Sequence, residues 1–338
     1  MKKAAYSIAV VGATGLVGTE IVNVLAERQF PVGDLQLYAS LRSAGDEVQC
    51  GTLSARVELL EGAHFEDSDL VFLAAGDQVS AEWLERAATS AVVIDTSQLF
   101  VGDTDVPVVV PEVNAAALAG HANRGLVVSP NAPAIALAVV LNPLHAAAGI
   151  TGIVATTLEP VSGAGRAGIE ELQQQTVELM QGRSVEPTVF PHRIAFNLLP
   201  QIGEFLAGGG SRDEEQTAVA VRRLLEVPEL PISVTRVRAP LFYGMALALH
   251  VETGERLSAA QAQEILRTAP GVLLQDDVTA QLYPTAAEAV GLDATLVGRV
   301  REHETSNALE LWLAIDNIRK GSAVNAVQIA EVLIRDYL

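Results

Sequence analysis

The sequence predicts an α/β protein of two domains: a doubly wound, Rossmann-type parallel sheet, and an α+β domain built on a mixed sheet. Three observations indicate this fold class. The chain opens with an apolar strand, a glycine loop and an amphipathic helix, in that order. Short apolar runs then alternate with helical segments, before the pattern changes in the second half. With 338 residues, 49% of them hydrophobic, the chain is long enough to bury two cores of ordinary size.

The first predicted element is a strand, loop and helix unit. Ile8–Val11 is an apolar run of strand length, and Glu20–Arg28 carries apolar residues at helical spacing. The glycines between them let the backbone turn tightly and approach a pyrophosphate at the helix N-terminus. A turn that needs only positive φ is the alternative. The residues predicted to contact a dinucleotide here are Gly12, Thr14, Gly15 and Gly18.

The residues that follow the second predicted strand, Leu35–Tyr38, indicate whether the cofactor is NAD or NADP. An NAD enzyme usually has Asp or Glu there to bind the ribose hydroxyls, whereas this chain has Ser40, Arg42 and Ser43. A guanidinium and two hydroxyls suit a 2′-phosphate, so the pattern favours NADP over NAD. The alternative is a solvated turn.

Further elements follow from the same periodicities. In the first domain we predict strands at Leu70–Ala75, Val92–Ile94 and Gly125–Val128, with a helix at Ala81–Ala88. In the second domain the predicted strands are Ile153–Leu158, Ile232–Arg238, Leu241–Val251 and Leu309–Ile315. The helices predicted between them are Gly168–Gln181, Glu214–Glu226 and Ala259–Thr268, and we expect them on one face of the mixed sheet.

The short stretch Ser129–Pro133 joins the strand Gly125–Val128 to the helical run Ala134–Leu141. A strand, a tight turn and a helix start place a side chain at the mouth of an α/β site, with helix N–H groups aimed at it. A nucleophile would sit in this stretch.

The charge and composition of the chain exclude several classes of binding partner. The chain has 41 acidic and 22 basic residues, a net charge of −19, which disfavours a nucleic-acid or anionic-membrane surface. No apolar run reaches the roughly 18 to 20 residues of a membrane span. The single cysteine, Cys50, cannot form an intrachain disulfide, and the six histidines lack ligand spacing. We therefore expect a cytoplasmic protein without a metal, a nucleic-acid partner or a membrane segment.

Seven segments together resemble the aspartate-semialdehyde dehydrogenase family, and more narrowly its Usg-type paralogues, which lack the catalytic cysteine. These segments are Gly12–Gly18, Ser40–Gly45, Val106–Asn114, Val161–Gly168, Pro191–Asn197, Leu296–Val300 and Asp316–Gly321. The resemblance implies NADP-dependent oxidoreductase chemistry in amino-acid biosynthesis, in which a cysteine thiolate attacks the aldehyde, hydride passes to NADP and phosphate releases the acyl group. It also implies that Ser162, Gly163 and Asn317 contact the cofactor.

The resemblance further implies how the chain is divided. The last helix, Ala323–Tyr337, is expected to pack back on the first domain. The cofactor domain would then comprise residues 1–129 and 322–338, and residues 130–321 would form the substrate-binding and dimerisation domain.

The reacting groups of the family are missing at the matching positions. Ala132 replaces the cysteine and Met245 replaces the histidine that moves protons. Glu159 stands where the family has glutamine, and Val101 where it has a phosphate-binding arginine. Among these positions only Arg238 has the residue that the family has, the arginine that binds the substrate carboxylate. The alternative is an arginine in a surface ion pair.

Two other residues are poor substitutes for the missing groups. Cys50 lies far away in the first domain, and we expect a buried, inert thiol on a strand. His250 follows Met245 at an odd offset on the same predicted strand, so its side chain should lie on the opposite face.

Three functions remain open. The first is a non-catalytic paralogue that binds NADP, a small molecule of unknown identity or a partner, either as a homodimer or as a hetero-oligomer with a family member. The second is a different oxidoreductase or lyase reaction with Glu159 as general base. The third is ordinary dehydrogenase activity by another route.

Overall fold

The computed structural model describes residues 3–338 and divides the chain into two compact units. The first unit comprises the chain up to Asn131 together with Ser322–Leu338, and the second comprises Ala132–Gly321.

The described residues form thirteen strands and nine α-helices. The strands are Tyr6–Val11 (β1), Val32–Ala39 (β2), Glu47–Cys50 (β3), Leu53–Leu59 (β4), Leu70–Leu73 (β5), Val92–Asp95 (β6), Leu126–Val128 (β7), Ile150–Glu159 (β8), Ile232–Arg238 (β9), Met245–Thr253 (β10), Val272–Leu274 (β11), Thr295–Glu302 (β12) and Ala308–Ile315 (β13). The helices are Leu16–Glu27 (α1), Asp77–Ala88 (α2), Pro111–Asn114 (α3), Ala132–Ala148 (α4), Gly165–Met180 (α5), Arg212–Leu224 (α6), Ala259–Arg267 (α7), Ala286–Ala289 (α8) and Asn325–Asp336 (α9). None of the helices in this part of the chain is long and apolar enough to cross a membrane.

The first unit is built on a seven-stranded sheet of order β3-β4-β2-β1-β5-β6-β7. Every pair is parallel except β3 with β4 at one edge. One hydrophobic core joins β1, α1 and α9, with Ile8, Ile21 and Ile329 fully buried in it. The predicted doubly wound parallel sheet is therefore confirmed, and the last helix packs on this unit as the resemblance implied.

The second unit contains a six-stranded mixed sheet of order β11-β12-β13-β10-β8-β9. Burial alternates along β10: Leu247 and Leu249 are buried, whereas Ala248 between them is exposed. Helices α4, α6 and α7 pack against the strands of this sheet. On the opposite face Val154 is 52% exposed, so one face of the sheet is covered and the other is open. The predicted mixed sheet is confirmed.

Several segments differ from the sequence prediction. Strands β11 and β12 and the short helices α3 and α8 were not predicted. Cys50 lies on a strand, β3, as expected, but the antiparallel pairing of β3 with β4 was not predicted. Val57 of β4 and Cys50 of β3 belong to the core of the first unit, and their exposed neighbours alternate with them. Strand β10 begins at Met245 rather than Leu241, since Gly244 has a φ of +76°. A Cβ at Gly244 would lie 2.0 Å from the Ala286 carbonyl oxygen, so a turn ends here before the strand begins.

Candidate functional site

The glycine loop of the first unit has the backbone of a pyrophosphate site. Gly12 has a φ of +82°, and the N–H of Gly15 donates to its carbonyl oxygen at 2.9 Å. A Cβ at Gly18 would lie 2.1 Å from the same oxygen, so only glycine allows α1 to approach the loop this closely. The N-cap of α1 is Gly15, which offers no side-chain acceptor to the first-turn N–H groups. These groups suit an anion, so the residues present fit a dinucleotide pyrophosphate.

The predicted 2′-phosphate residues lie in a turn directly after β2. The Ser43 N–H donates to the Ser40 carbonyl oxygen at 3.0 Å, which closes the turn. Arg42 and Ser40 are exposed and Ser43 is half-buried. This turn and the glycine loop follow adjacent parallel strands, because β1 and β2 pair with Val11 opposite Tyr38. An exposed guanidinium beside two hydroxyls at the carboxyl edge of this sheet fits a phosphate monoester.

Two side chains that the sequence analysis did not single out hold the backbone before α4. Gln98 accepts the Asn131 N–H at 3.0 Å and donates to the Ser129 carbonyl oxygen at 3.4 Å. The buried Asn325 on α9 donates to the Ser129 hydroxyl at 2.8 Å and to the Val109 carbonyl oxygen at 3.1 Å. These hydrogen bonds fix the backbone of residues 129–131 within the first unit.

Ala132 is the first residue of α4 in the second unit, and it is half-buried. A Cβ built on Gly321 would lie 2.5 Å from the Ala132 Cβ, so these two backbones approach closely. The Gly321 N–H donates to the Asp316 carbonyl oxygen at 2.8 Å, which turns the chain after β13. A larger side chain at position 132 therefore has to point away from Gly321.

Strand order brings four further predicted residues to one end of the second sheet. Strands β8 and β9 are parallel and end at Glu159 and Arg238, which are Cα partners. Strand β10 runs antiparallel to β8, so its first residue, Met245, lies at the same end. Met245 is 0% exposed, and its thioether can neither accept nor release a proton at neutral pH. Asn317 also belongs to this end, because it follows β13, whose Ile315 pairs with Met245.

Glu159 is held in a buried ion pair. Its two oxygens accept from Nε and Nη2 of Arg236 at 2.6 and 2.8 Å, and the Thr157 hydroxyl donates to it at 2.7 Å. Burial by itself would raise the pKa of Glu159. The positive charge and hydrogen bonds of Arg236 have the larger effect, so the pKa of this carboxyl is lowered. A carboxylate with a lowered pKa and occupied lone pairs is a weak proton acceptor. The arrangement therefore disfavours Glu159 as a general base.

Arg238 is buried rather than on the surface, with 7% of its area exposed. Its Nη1 donates to the Pro160 carbonyl oxygen at 2.6 Å, and a Cβ on Gly163 would lie 2.5 Å from the same atom. Burial lowers the pKa of this guanidinium, although nearby Glu159 acts in the opposite direction. Within residues 3–338 Arg238 forms no surface ion pair, and a buried guanidinium suits an anion.

Ser162 and Asn317, both predicted to contact the cofactor, hydrogen-bond to each other. Asn317 donates from Nδ2 to the Ser162 hydroxyl at 3.1 Å, and its Oδ1 accepts the Gly244 N–H at 3.2 Å. Gly163 follows in the same turn and is exposed. Within the second unit the structure thus groups these residues with Arg238 and the start of β10.

Of three other predicted positions, Val101 and Cys50 belong to the first unit and His250 to the second. Val101 is a buried apolar residue of the first unit. Cys50 lies on β3 and is buried, its Sγ is 3.5 Å from the Val22 carbonyl oxygen, and burial raises the pKa of its thiol. His250 lines the open face of the second sheet, where Nδ1 is 2.7 Å from a Glu310 oxygen. His250 pairs with Val154 on this open face, the side of the sheet that its odd offset from Met245 predicts.

The sequence reasoning missed Arg236, Gly321, Gln98 and Asn325. Arg236 could have been found, because it precedes Arg238 by two residues on a predicted strand and so shares its face. The other three have no local signal, since each acts on a part of the chain that is distant in sequence.

Known proteins resemble this chain over nearly its whole length. The model of the semialdehyde dehydrogenase NAD binding domain matches residues 7–121, and that of the semialdehyde dehydrogenase dimerisation domain matches residues 141–320. The aspartate-semialdehyde dehydrogenase of Rickettsia bellii is 40% identical over 335 residues, which cover 98% of this chain and 99% of the relative. The crystal structure of aspartate semialdehyde dehydrogenase II of Vibrio cholerae complexed with ASA is 40% identical, with a TM-score of 0.96 over 99% of this chain and 100% of that one.

A more distant structure shares the fold. It is the aspartate semialdehyde dehydrogenase of Candida albicans with NADP, which is 21% identical, with a TM-score of 0.72 over 97% of this chain and 98% of that one. From both domain models and from relatives at 40% identity, the chain belongs to the aspartate-semialdehyde dehydrogenase family.

Proposed function

We propose that this protein is a non-catalytic member of its family, of the Usg type, which binds NADP and a small carboxylate without oxidising aspartate semialdehyde. One observation carries the proposal: the helix start and the strand start that would present the nucleophile and the proton carrier present Ala132 and the fully buried Met245. A methyl group can neither form a thiohemiacetal nor carry a thioester. Removal of the nucleophile from a serine protease lowers turnover by a factor of about 10⁶, and we expect a comparable loss here.

The test is an assay of the purified chain with aspartate semialdehyde, NADP and phosphate. We expect NADPH formation at background, with the Vibrio cholerae enzyme as positive control in the same buffer. Turnover within about a hundredfold of that control would contradict the proposal and would favour the third function considered above.

NADP binding is supported by the geometry of the first unit. The pyrophosphate would be held by N–H groups of the glycine loop and α1, and the 2′-phosphate by Arg42 with Ser40 and Ser43. When bound, NADP can exchange a hydride at its nicotinamide ring. The family resemblance implies that Ser162 and Asn317 also contact the cofactor. In this chain we propose a binding role for the cofactor.

A reaction with Glu159 as general base receives little support. The carboxylate is engaged by Arg236 and Thr157, so proton transfer would first require a buried ion pair to open. If any activity is found for this chain, Glu159→Gln should leave it largely unchanged at neutral pH.

We also propose that the protein forms a homodimer through the open face of the second sheet. This face contains a groove of about 640 Å³ with an apolar floor that includes Val154, Ala248 and Trp312. Apolar faces of this kind are typical of protein interfaces, and the unit matches the dimerisation-domain model. Mixing with an active family member, followed by size-exclusion chromatography, tests whether a hetero-oligomer forms instead. The cytoplasmic location stays a prediction.

A further inference from the structure

An arginine outside the predicted cofactor residues lies against the turn that follows β2. Arg56 is an exposed residue of β4, and its Nη2 is 3.5 Å from the position that a Cβ on Gly45 would occupy. Two hydrogen bonds hold this turn beside β4. The Gly45 N–H donates to the Val57 carbonyl oxygen at 2.8 Å, and the Val57 N–H donates to the Asp46 carbonyl oxygen at 2.8 Å. The backbone therefore holds Arg56 next to the predicted 2′-phosphate residues.

Arg56 does not pair with either of the two carboxylates beside it on this pair of strands. Glu47 is its Cα partner on β3, but a Glu47 oxygen accepts the Ser54 hydroxyl at 2.5 Å. Glu58 lies two residues further along β4, on the same face. Within residues 3–338, the Arg56 side chain forms no ion pair and no hydrogen bond. Its five N–H donors are therefore available to a ligand.

The charge of a phosphate monoester exceeds what Arg42 alone can balance. Such a group carries about two negative charges at neutral pH. It would bind to a protein of net charge −19, next to Asp46 in the same turn. The hydroxyls of Ser40 and Ser43 supply hydrogen bonds but no positive charge. A second guanidinium, on the strand to which the turn is tied, would balance the dianion.

We infer that Arg56 is a second phosphate-binding arginine, which together with Arg42 holds the 2′-phosphate and determines the preference for NADP over NAD. NAD has a hydroxyl at this position of the ribose, so neither guanidinium would find an anionic partner on it. The inference rests on the proposed function, because it adds a residue to the NADP site proposed there. It also gives the edge pair β3 and β4 a role in cofactor specificity.

Titration calorimetry of the full chain, at a low and constant ionic strength, tests the inference. We expect Arg56→Gln to weaken NADP binding by about tenfold, because hydrogen bonds between charged groups are lost, and to change NAD binding by less than about twofold. Arg56→Lys keeps the charge without the planar guanidinium and should give an intermediate loss.

Arg335→Gln is the matched control for these variants. It removes the same charge from an exposed arginine of α9. Its neighbour Ile334 accepts a hydrogen bond from the Tyr6 hydroxyl at the amino end of β1, whereas the proposed cofactor site lies at the carboxyl end. Both dissociation constants should therefore stay unchanged in Arg335→Gln.

The wild-type protein supplies a test that does not depend on any variant. Phenylglyoxal modifies accessible arginines, and peptide mass spectrometry over time gives the rate at each position. We expect saturating NADP to slow the modification of Arg56 and Arg42, saturating NAD to leave both rates nearly unchanged, and Arg335 to react equally in all three samples.

The outcomes separate this inference from the NADP site on which it rests. An NADP affinity that is unchanged in Arg56→Gln, or equal losses of NADP and NAD affinity, overturns the inference and leaves the proposed NADP site standing. Modification of Arg56 at the same rate with and without NADP does the same. Failure of the wild type to bind NADP overturns the proposed cofactor and this inference together.

Discussion

Ala132 has a methyl side chain at the helix start where the family resemblance places a reactive cysteine. It is the first residue of the long helix α4, and its Cβ faces Gly321. A thiol at a helix N-terminus has a lowered pKa and reacts faster as the thiolate. A cysteine introduced at this position can therefore show whether the helix N-terminus still activates a thiol.

We predict that Ala132→Cys gives a thiol that iodoacetamide alkylates at neutral pH much faster than Cys50. Burial raises the pKa of the Cys50 thiol, so the native cysteine serves as an internal reference. Ala134→Cys, at a fully buried position of the same helix, is the matched control and should stay unlabelled. Peptide mass spectrometry over time measures the rates, and labelling of position 132 no faster than Cys50 would contradict the prediction.

Arg236 gives a second residue-scale prediction. Arg236→Met leaves Glu159 buried without its cation, and we expect a loss of about 3–5 kcal/mol in the free energy of unfolding. Arg28→Met breaks a more exposed ion pair with Glu331 and should cost less than about 1 kcal/mol. Urea unfolding monitored by circular dichroism gives both values, and similar costs for the two variants would count against the prediction.

The cost of Arg236→Met should depend on pH. The pKa of Glu159 is lowered in the folded protein, so the pair stabilises the fold above the ordinary carboxyl pKa of about 4.3. This stabilisation is lost as pH falls through the lowered value. Because an unpaired Glu159 can be relieved by protonation, the difference between variant and wild type should shrink in acid.

At the scale of elements, the open face of the second sheet is the surface through which we propose that two copies associate. Strands β8, β10 and β13 present Val154, Ala248 and Trp312 to it, while their alternate residues face the helices. An antiparallel sheet can leave one face in water, but an apolar groove on that face is typical of a surface that binds a partner.

We predict that Val154→Asp shifts the protein towards monomer without unfolding it. The side chain is half-exposed in the single chain, so the charge costs little until a second copy approaches. Leu41→Asp, at an exposed position of the first unit, is the control and should leave assembly unchanged. Sedimentation velocity over a range of protein concentrations measures the equilibrium, and an unchanged dimer in Val154→Asp would contradict the proposed interface.

Elements with a clear period could be predicted from the sequence, and pairings between them could not. The predicted strand Ile232–Arg238 has the bounds of β9, because apolar and polar residues alternate along it between loops. The pairing of β3 with β4 was missed although residues 53–59 alternate strictly between apolar and polar side chains, a period that indicates a strand but not its partner. The positions of Ala132 and Met245 could be read from the family motifs, but the Arg236–Glu159 pair depends on which strands become neighbours. Local periodicity contains no information about that choice.

At the scale of the whole molecule, NADP binding should be visible as a gain in stability. A ligand that binds only the folded state at a hundred times its dissociation constant adds about 2.7 kcal/mol. We predict that NADP raises the melting temperature more than NAD at equal concentration. Differential scanning calorimetry of the full chain measures both effects.

Arg42→Ala is the matched variant for this prediction. It should reduce the effect of NADP while leaving that of NAD nearly unchanged, because the guanidinium is expected to meet only the 2′-phosphate. Equal losses for both cofactors, or a larger stabilisation by NAD in the wild type, would contradict the assignment of Ser40, Arg42 and Ser43.

The buried ion pair between Glu159 on β8 and Arg236 on β9 also affects the register in which these two strands pair during folding. These strands are parallel and are joined by a long connection, so no tight hairpin turn fixes their alignment. A slip of one residue would turn Arg236 to the open face and leave Glu159 buried without a cation. Such a misaligned sheet would retain many apolar contacts yet contain an isolated internal charge, which is strongly destabilising. We therefore expect the pair to select the native alignment during folding, a role that is separate from any ligand the finished site binds.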